Sequence, residues 1–91
     1  DSSDTEIDLV ALNEPAKVLR LGTCKRNADR VAGDLANFDG HVRRFLDRHR
    51  RFELWRVEKV AITTRHTADT RRAIEQRGFV AQDLADLTRG L

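Results

Sequence analysis

The stretch VLRLGTCKRNADR, Val18–Arg30, decides the architecture, because its hydrophobic period changes partway through. Up to Lys25 the residues alternate as a strand does, so Thr23 and Lys25 share one face and Cys24 takes the other. Beyond Arg26 the apolar residues Ala28, Val31, Ala32, Leu35, Phe38, Val42, Phe45 and Leu46 recur at three- and four-residue steps. That is one stripe of a long helix, predicted from about Asn27 to His49, with Asn27 as its cap. Gly40 lies within it and lowers the local propensity, which allows a bend near Asp39–His41.

Working outward, EIDLVAL, Glu6–Leu12, alternates with Glu6 and Asp8 on one face and Ile7, Leu9 and Ala11 on the other. Asn13, Glu14 and Pro15 read as a turn, so this strand and KVLRLGTCK form a hairpin. On the far side of the helix, WRVEKVAIT is a third strand whose Val57, Val60, Ala61 and Ile62 suit burial on both faces, as in a parallel sheet. Thr67 opens a second helix that runs through Arg77 and stops at Gly78. FVA is a short fourth strand, and Asp83 caps a last helical turn, LADLT. The order β-β-α-β-α-β-α predicts an α/β fold: a mixed sheet with an N-terminal hairpin and crossover helices.

At 91 residues the chain is one domain, close to the size at which a single core is only modestly stable. Residues 1–5 read as a disordered edge and 6–91 as the domain itself. Nothing approaches the roughly 20 apolar residues that span a bilayer, so no membrane partner is expected. DSSDTE has neither a basic nor an apolar signal region, and the chain has no Met, as a piece of a longer protein would. The single cysteine, Cys24, has no disulfide partner and no zinc-ligand spacing around it, which fits a reducing cytoplasm. It reads as a small hydrophobe under the sheet. His41, His49 and His66 are too scattered for a metal site and read as surface residues.

The net charge is only +2, yet the pI is about 9.2 and the cations are unevenly placed. HVRRFLDRHRRFELWR, His41–Arg56, holds six Arg and two His. Arg43, Arg44, Arg48, Arg50 and Arg51 are candidate phosphate contacts to DNA; an ordinary solvated helix end is the plainer reading. Trp55 is a candidate for stacking on a base, against the plainer role of a core residue. Arg65–Arg72, RHTADTRR, offers hydroxyls and cations at a helix start, as a phosphate cradle or a simple cap.

The hairpin carries the candidate chemistry. Paired strands bring Asp8 towards Thr23 and Lys25. A carboxylate there could hold Mg²⁺ over a phosphate, and a lysine could orient the attacking water and stabilise growing charge.

At these residues the chain resembles the PD-(D/E)XK nuclease-like superfamily. More narrowly, it resembles the nuclease-like domain of unknown function at the C-terminus of prokaryotic AAA-type P-loop ATPases, archaeal and bacterial. In that family a Glu-Ile-Asp strand precedes one ending in Gly-Glu-Cys-Lys; here the strands are EIDLVAL and VLRLGTCK, with GTCK at Gly22–Lys25. VEKVAITTRHTADTRRAIEQRGFVAQDLADL, Val57–Leu87, is similar to the family's later strand, polar turn, helix and closing Asp-Leu-X-X-Leu, so the resemblance covers Glu6–Leu87.

The resemblance implies a restriction-endonuclease-like core and a Mg²⁺ cofactor. Asp8 matches the metal-binding acid, Lys25 the catalytic lysine, and Glu6 an acidic position that can add a metal ligand. The family's first helix, which can supply a further Glu, would lie before Asp1 and is missing.

Thr23 stands where the family has its second acidic residue, and a neutral hydroxyl is a poor Mg²⁺ ligand. Either Glu6, Asp29 or Asp34 fills the vacancy, or the site is degenerate and Asp8 and Lys25 survive as a cross-strand ion pair. The expected functions are accordingly DNA binding or regulation of its own upstream ATPase domain, an active Mg²⁺-dependent endonuclease, or a homodimerisation module. No Gly-rich phosphate loop occurs, so ATP binding would belong to that upstream domain.

Overall fold

In the computed structural model, residues 7–26, 28–83 and 86 are described. Strands β1 (Leu9–Asn13) and β2 (Val18–Cys24) form the hairpin, followed by helix α1 (Ala28–Arg48), a 3₁₀ turn (Arg50–Phe52), β3 (Arg56–Thr63), α2 (Ala68–Gln76) and β4 (Val80–Asp83). The predicted α/β order is therefore present. Asn27 and the closing LADLT turn fall outside the described residues, apart from Asp86.

The sheet order is β1-β2-β3-β4. β1 pairs antiparallel with β2, Leu9 opposite Gly22 and Asn13 opposite Val18. β2–β3 and β3–β4 are parallel. The hairpin closes through Lys17 N–H to the Glu14 carbonyl at 3.1 Å and Ala16 N–H to Asn13 Oδ1 at 3.2 Å. Lys17 takes a left-handed φ of 56°, a conformation that disfavours any residue with a Cβ.

Each crossover moves one strand along in the same direction, so two crossovers of the same right hand put α1 and α2 on one face, where they pack together. The core lies between these layers. Leu19, Leu21 and Ala61 from the sheet meet Leu35, Phe38 and Val42 of α1, Ile74 of α2, and Phe52, Phe79 and Ala81. Burial of this stripe is what makes α1 a helix here, since its predicted period is the one that aims every third or fourth side chain at the sheet. It runs unbroken past Gly40.

β3 is the central parallel strand. Val60 and Ala61 are both fully buried although they face opposite sides, as their apolar run predicts. Near the β1–β2 turn the face away from the helices carries an ion-pair ladder. Arg20 Nη2 lies 2.8 Å from Glu58 Oε1, and Arg56 3.6 Å from Oε2. The Arg20 hydrogen bond, aided by the charges of Arg20 and Arg56 and opposed by desolvation, holds the Glu58 carboxyl below its usual range.

α2 is closed at both ends by local hydrogen bonds. Thr67 Oγ1 accepts from Thr70 N–H at 3.1 Å while Thr67 N–H donates to Thr70 Oγ1 at 2.8 Å. RHTADTRR is thus a capping turn. At the other end Gly78, φ 84°, lets its own N–H reach the Glu75 carbonyl at 3.0 Å and Phe79 N–H the Ile74 carbonyl at 3.3 Å.

Candidate functional site

Because β2, β3 and β4 are parallel and β1 opposes them, one edge of the sheet collects Asp8, Lys25, Thr63 and Asp83, together with the starts of both helices. This is the edge at which open α/β sheets place ligands.

Asp8 reaches that edge from the hairpin. Its N–H donates to the Gly22 carbonyl at 3.0 Å, and its Oδ2 accepts from Cys24 N–H at 2.8 Å. The carboxylate therefore closes the end of the hairpin ladder, one residue from Lys25. Lys25 N–H donates to the Ile62 carbonyl at 2.9 Å, which extends the parallel ladder past Cys24. The expected ion pair is not formed: no salt bridge joins Asp8 to Lys25, and the Asp8 carboxylate accepts from the Cys24 amide instead.

Thr23 is 6% exposed and lies on the helix-covered face with Leu19 and Leu21. Cys24, on the opposite face, is exposed rather than packed under the sheet as expected, since no helix covers that side at this point. Partial desolvation, with the Asp8 charge beside it, pushes the thiol's pKa up.

Of the carboxylates considered as replacements for Thr23, Asp34 is the described one that approaches Lys25. The two line a hollow of about 250 Å³ with Arg30 and Gly33. Glu6 and the side chain of Asp29 lie outside the described residues. No group of three or more His, Cys, Asp or Glu close enough to hold a metal occurs among the described residues. The described donors are few for Mg²⁺, since Thr23 offers a buried, neutral hydroxyl where a carboxylate oxygen would be wanted.

Along the same edge sits a cluster that sequence reading missed. His66, 9% exposed, is buried rather than on the surface. Its N–H donates to Asp83 Oδ2 at 3.4 Å, and Arg71 bridges Asp83 and Asp86 at 3.3 and 3.1 Å. The Asp86 N–H to Asp83 Oδ1 bond, 2.9 Å, leads the causes that hold Asp83 below the usual aspartate range; the His66 N–H and the charges of Arg71 and His66 add to it, against desolvation. Asp83 lies 17 residues from His66, so no local pattern signals this burial.

The candidate nucleic-acid residues lie at the opposite edge. At 1.5 Å per residue, Arg43 stands roughly 22 Å and Arg48 roughly 30 Å along α1 from its start beside Lys25. Arg43, Arg44 and Arg48 fall within an arc of about 140° centred opposite the buried stripe of Leu35, Phe38 and Val42, so they face solvent. Arg44 Nη2 lies 2.7 Å from His41 Nδ1, and among the described residues Arg43 and Arg48 make no ion pair. Arg50 and Arg51 continue the surface on the 3₁₀ turn, paired to Glu53 at 3.3 Å and Glu14 at 3.2 Å with more than half of each side chain exposed.

The fold and its charged surfaces define a two-layer α/β domain with a sparse acidic edge and a separate arginine face. No family model, curated protein or solved structure matches the chain. Among the described residues no helix is long and apolar enough to cross a membrane.

Proposed function

We propose that the chain is a nucleic-acid-binding α/β domain of nuclease-like type whose hydrolytic site is degenerate, and that it serves an ATPase as a DNA-binding or regulatory part. The observation that carries the reading is the set of exposed arginines, Arg43, Arg44, Arg48, Arg50 and Arg51, on the solvent side of α1 and the turn after it. Guanidinium forks match phosphate oxygens, and the two ion pairs within the surface are exposed enough to exchange at little cost. Support for the degenerate site comes from the hairpin, where a buried, neutral Thr23 stands where an acid would be needed. The ATPase setting rests on the family resemblance.

Two assays test it. DNA binding should weaken steeply with salt and be lost when the five arginines become glutamine; absence of binding at low salt would refute it. Incubation of plasmid with Mg²⁺ or Mn²⁺ should give no cleavage. Cleavage that disappears in both Asp8→Ala and Lys25→Ala would replace the degenerate site with an active endonuclease.

One observation favours a second reading, a homodimer. Edge strand β1 carries no charge and no Pro, and Val10 and Leu12 are 48% and 46% exposed on it. Sedimentation would then depend on concentration, and Val10→Lys with Leu12→Lys would abolish that dependence.

A further inference from the structure

Beside the arginine surface lies a hollow of about 350 Å³ lined by Lys17, Arg50, Arg51, Glu53, Leu54 and Trp55, within the range of volumes that hold small ligands. Leu54 and Trp55 supply its apolar part. Leu54 is 95% exposed at the tip of the turn, and Trp55 is half-buried, its ring packed edge-on against Phe52 with centroids 4.9 Å apart.

Cations stand over this aromatic pair. Lys17 Nζ is 5.3 Å from the Trp55 ring centroid, while the Arg51 guanidinium is 5.9 Å from that centroid and 4.8 Å from the Phe52 ring. Backbone hydrogen bonds fix the arrangement: Trp55 N–H to the Phe52 carbonyl and Arg56 N–H to the Lys17 carbonyl, each 3.0 Å. An anchored indole, an exposed leucine and flanking cations on separate elements thus form one surface. Glu53 also lines it, but its carboxylate is met by Arg50 at 3.3 Å.

Resting on the nucleic-acid reading above, we propose that this hollow takes an unpaired base, so that the preferred ligand is a single-stranded nucleic acid rather than a duplex. The base lies against the exposed Leu54 and the rim of Trp55, beside the Arg51 guanidinium. Neighbouring phosphates fall to Lys17, Arg50 and the arginines of α1, where Arg43 and Arg48 make no ion pair among the described residues.

A duplex reaches the same contacts only by unstacking a base first, whereas a single strand offers one already free. The cations extend along the solvent side of α1 away from Leu54, which follows a strand better than it fits a bilayer, and a single leucine anchors weakly to lipid.

The chain's only tryptophan is Trp55 and it has no tyrosine, so intrinsic emission reports this site alone. The full chain is titrated at low salt with a short oligothymidylate, with a duplex of equal length, with polyglutamate and with vesicles containing anionic phospholipid. The expected result is quenching by the oligothymidylate, about ten-fold tighter binding of it than of the duplex, and a loss of about ten-fold in Leu54→Gln and in Arg51→Gln. Leu54→Gln keeps the fold because the side chain touches little.

Binding without a change in Trp55 emission, or equal affinity for duplex, overturns the proposal and leaves the nucleic-acid reading standing. Binding to neither nucleic acid overturns both. An emission shift with vesicles or polyglutamate, and none with DNA, overturns the proposal in favour of a lipid or acidic-protein partner.

Discussion

Single residues at the hairpin end answer to two neighbours at once. A Cβ built on Gly22 would meet Leu9 Cβ and Cδ2 at 3.1 Å and the Val60 carbonyl at 3.4 Å, whereas one on Gly33 of α1 meets nothing within 4 Å. Gly22→Ala should therefore destabilise by about 1–3 kcal/mol in denaturant melts. Gly33→Ala should stabilise by about 1 kcal/mol through helix propensity. At Cys24 the raised pKa means that alkylation should be slow at neutral pH despite exposure and should accelerate only in alkali. Asp8→Asn should move that acceleration to lower pH, as followed by the rate of iodoacetamide labelling. Strand alternation foretold that Cys24 opposes Thr23. It could not foretell which face the helices cover, and so Cys24 is exposed where a packed thiol was expected. The same limit hid the role of Asp8, whose oxygen meets an amide sixteen residues away instead of the Lys25 side chain.

At the level of elements, the parts with local signals were the parts legible in the sequence. The stripe of α1, the Thr67 cap, the Gly78 stop and the two-sided burial of β3 each rest on residues a few positions apart. The junction between the loop before α2 and the end of β4 does not, and His66 was misread there. Asp83 offers a test of that junction. Its folded pKa lies below the ordinary value, so the unfolded chain binds the proton more readily. The stabilisation is present above the ordinary aspartate value of about 3.9 and is lost as pH falls through the lower folded value. Thermal melts should therefore lose stability on acidification below about pH 4. In Asp83→Asn the protein should be less stable at neutral pH, through loss of the charge pairing with Arg71, and its acid slope should be shallower. An unchanged slope would remove Asp83 from the account.

On the scale of the whole molecule, two charged regions sit at opposite edges of one sheet. The edge carrying Asp8, Lys25 and Asp34 collects few metal donors among the described residues, while the edge carrying Arg50 and Arg51 presents exposed guanidinium groups. The start of α1, beside Lys25, and Arg48 stand roughly 30 Å apart along the helix. This arrangement was only half legible: composition marked the arginine cluster, but its distance from Lys25 depends on the direction of α1 and the parallel register of β2 with β3. The salt dependence of oligothymidylate binding tests the central claim most directly. A single strand releases about 0.7 counterion per phosphate contact, so Lys17, Arg43, Arg44, Arg48 and Arg50 engaged on phosphates predict a slope of log K against log salt of about −3.5. Replacing Arg43, Arg44, Arg48, Arg50 and Arg51 with glutamine should bring that slope to about −0.7, the share left to Lys17. No binding at low salt, or a steep slope that survives the five substitutions, would contradict the account.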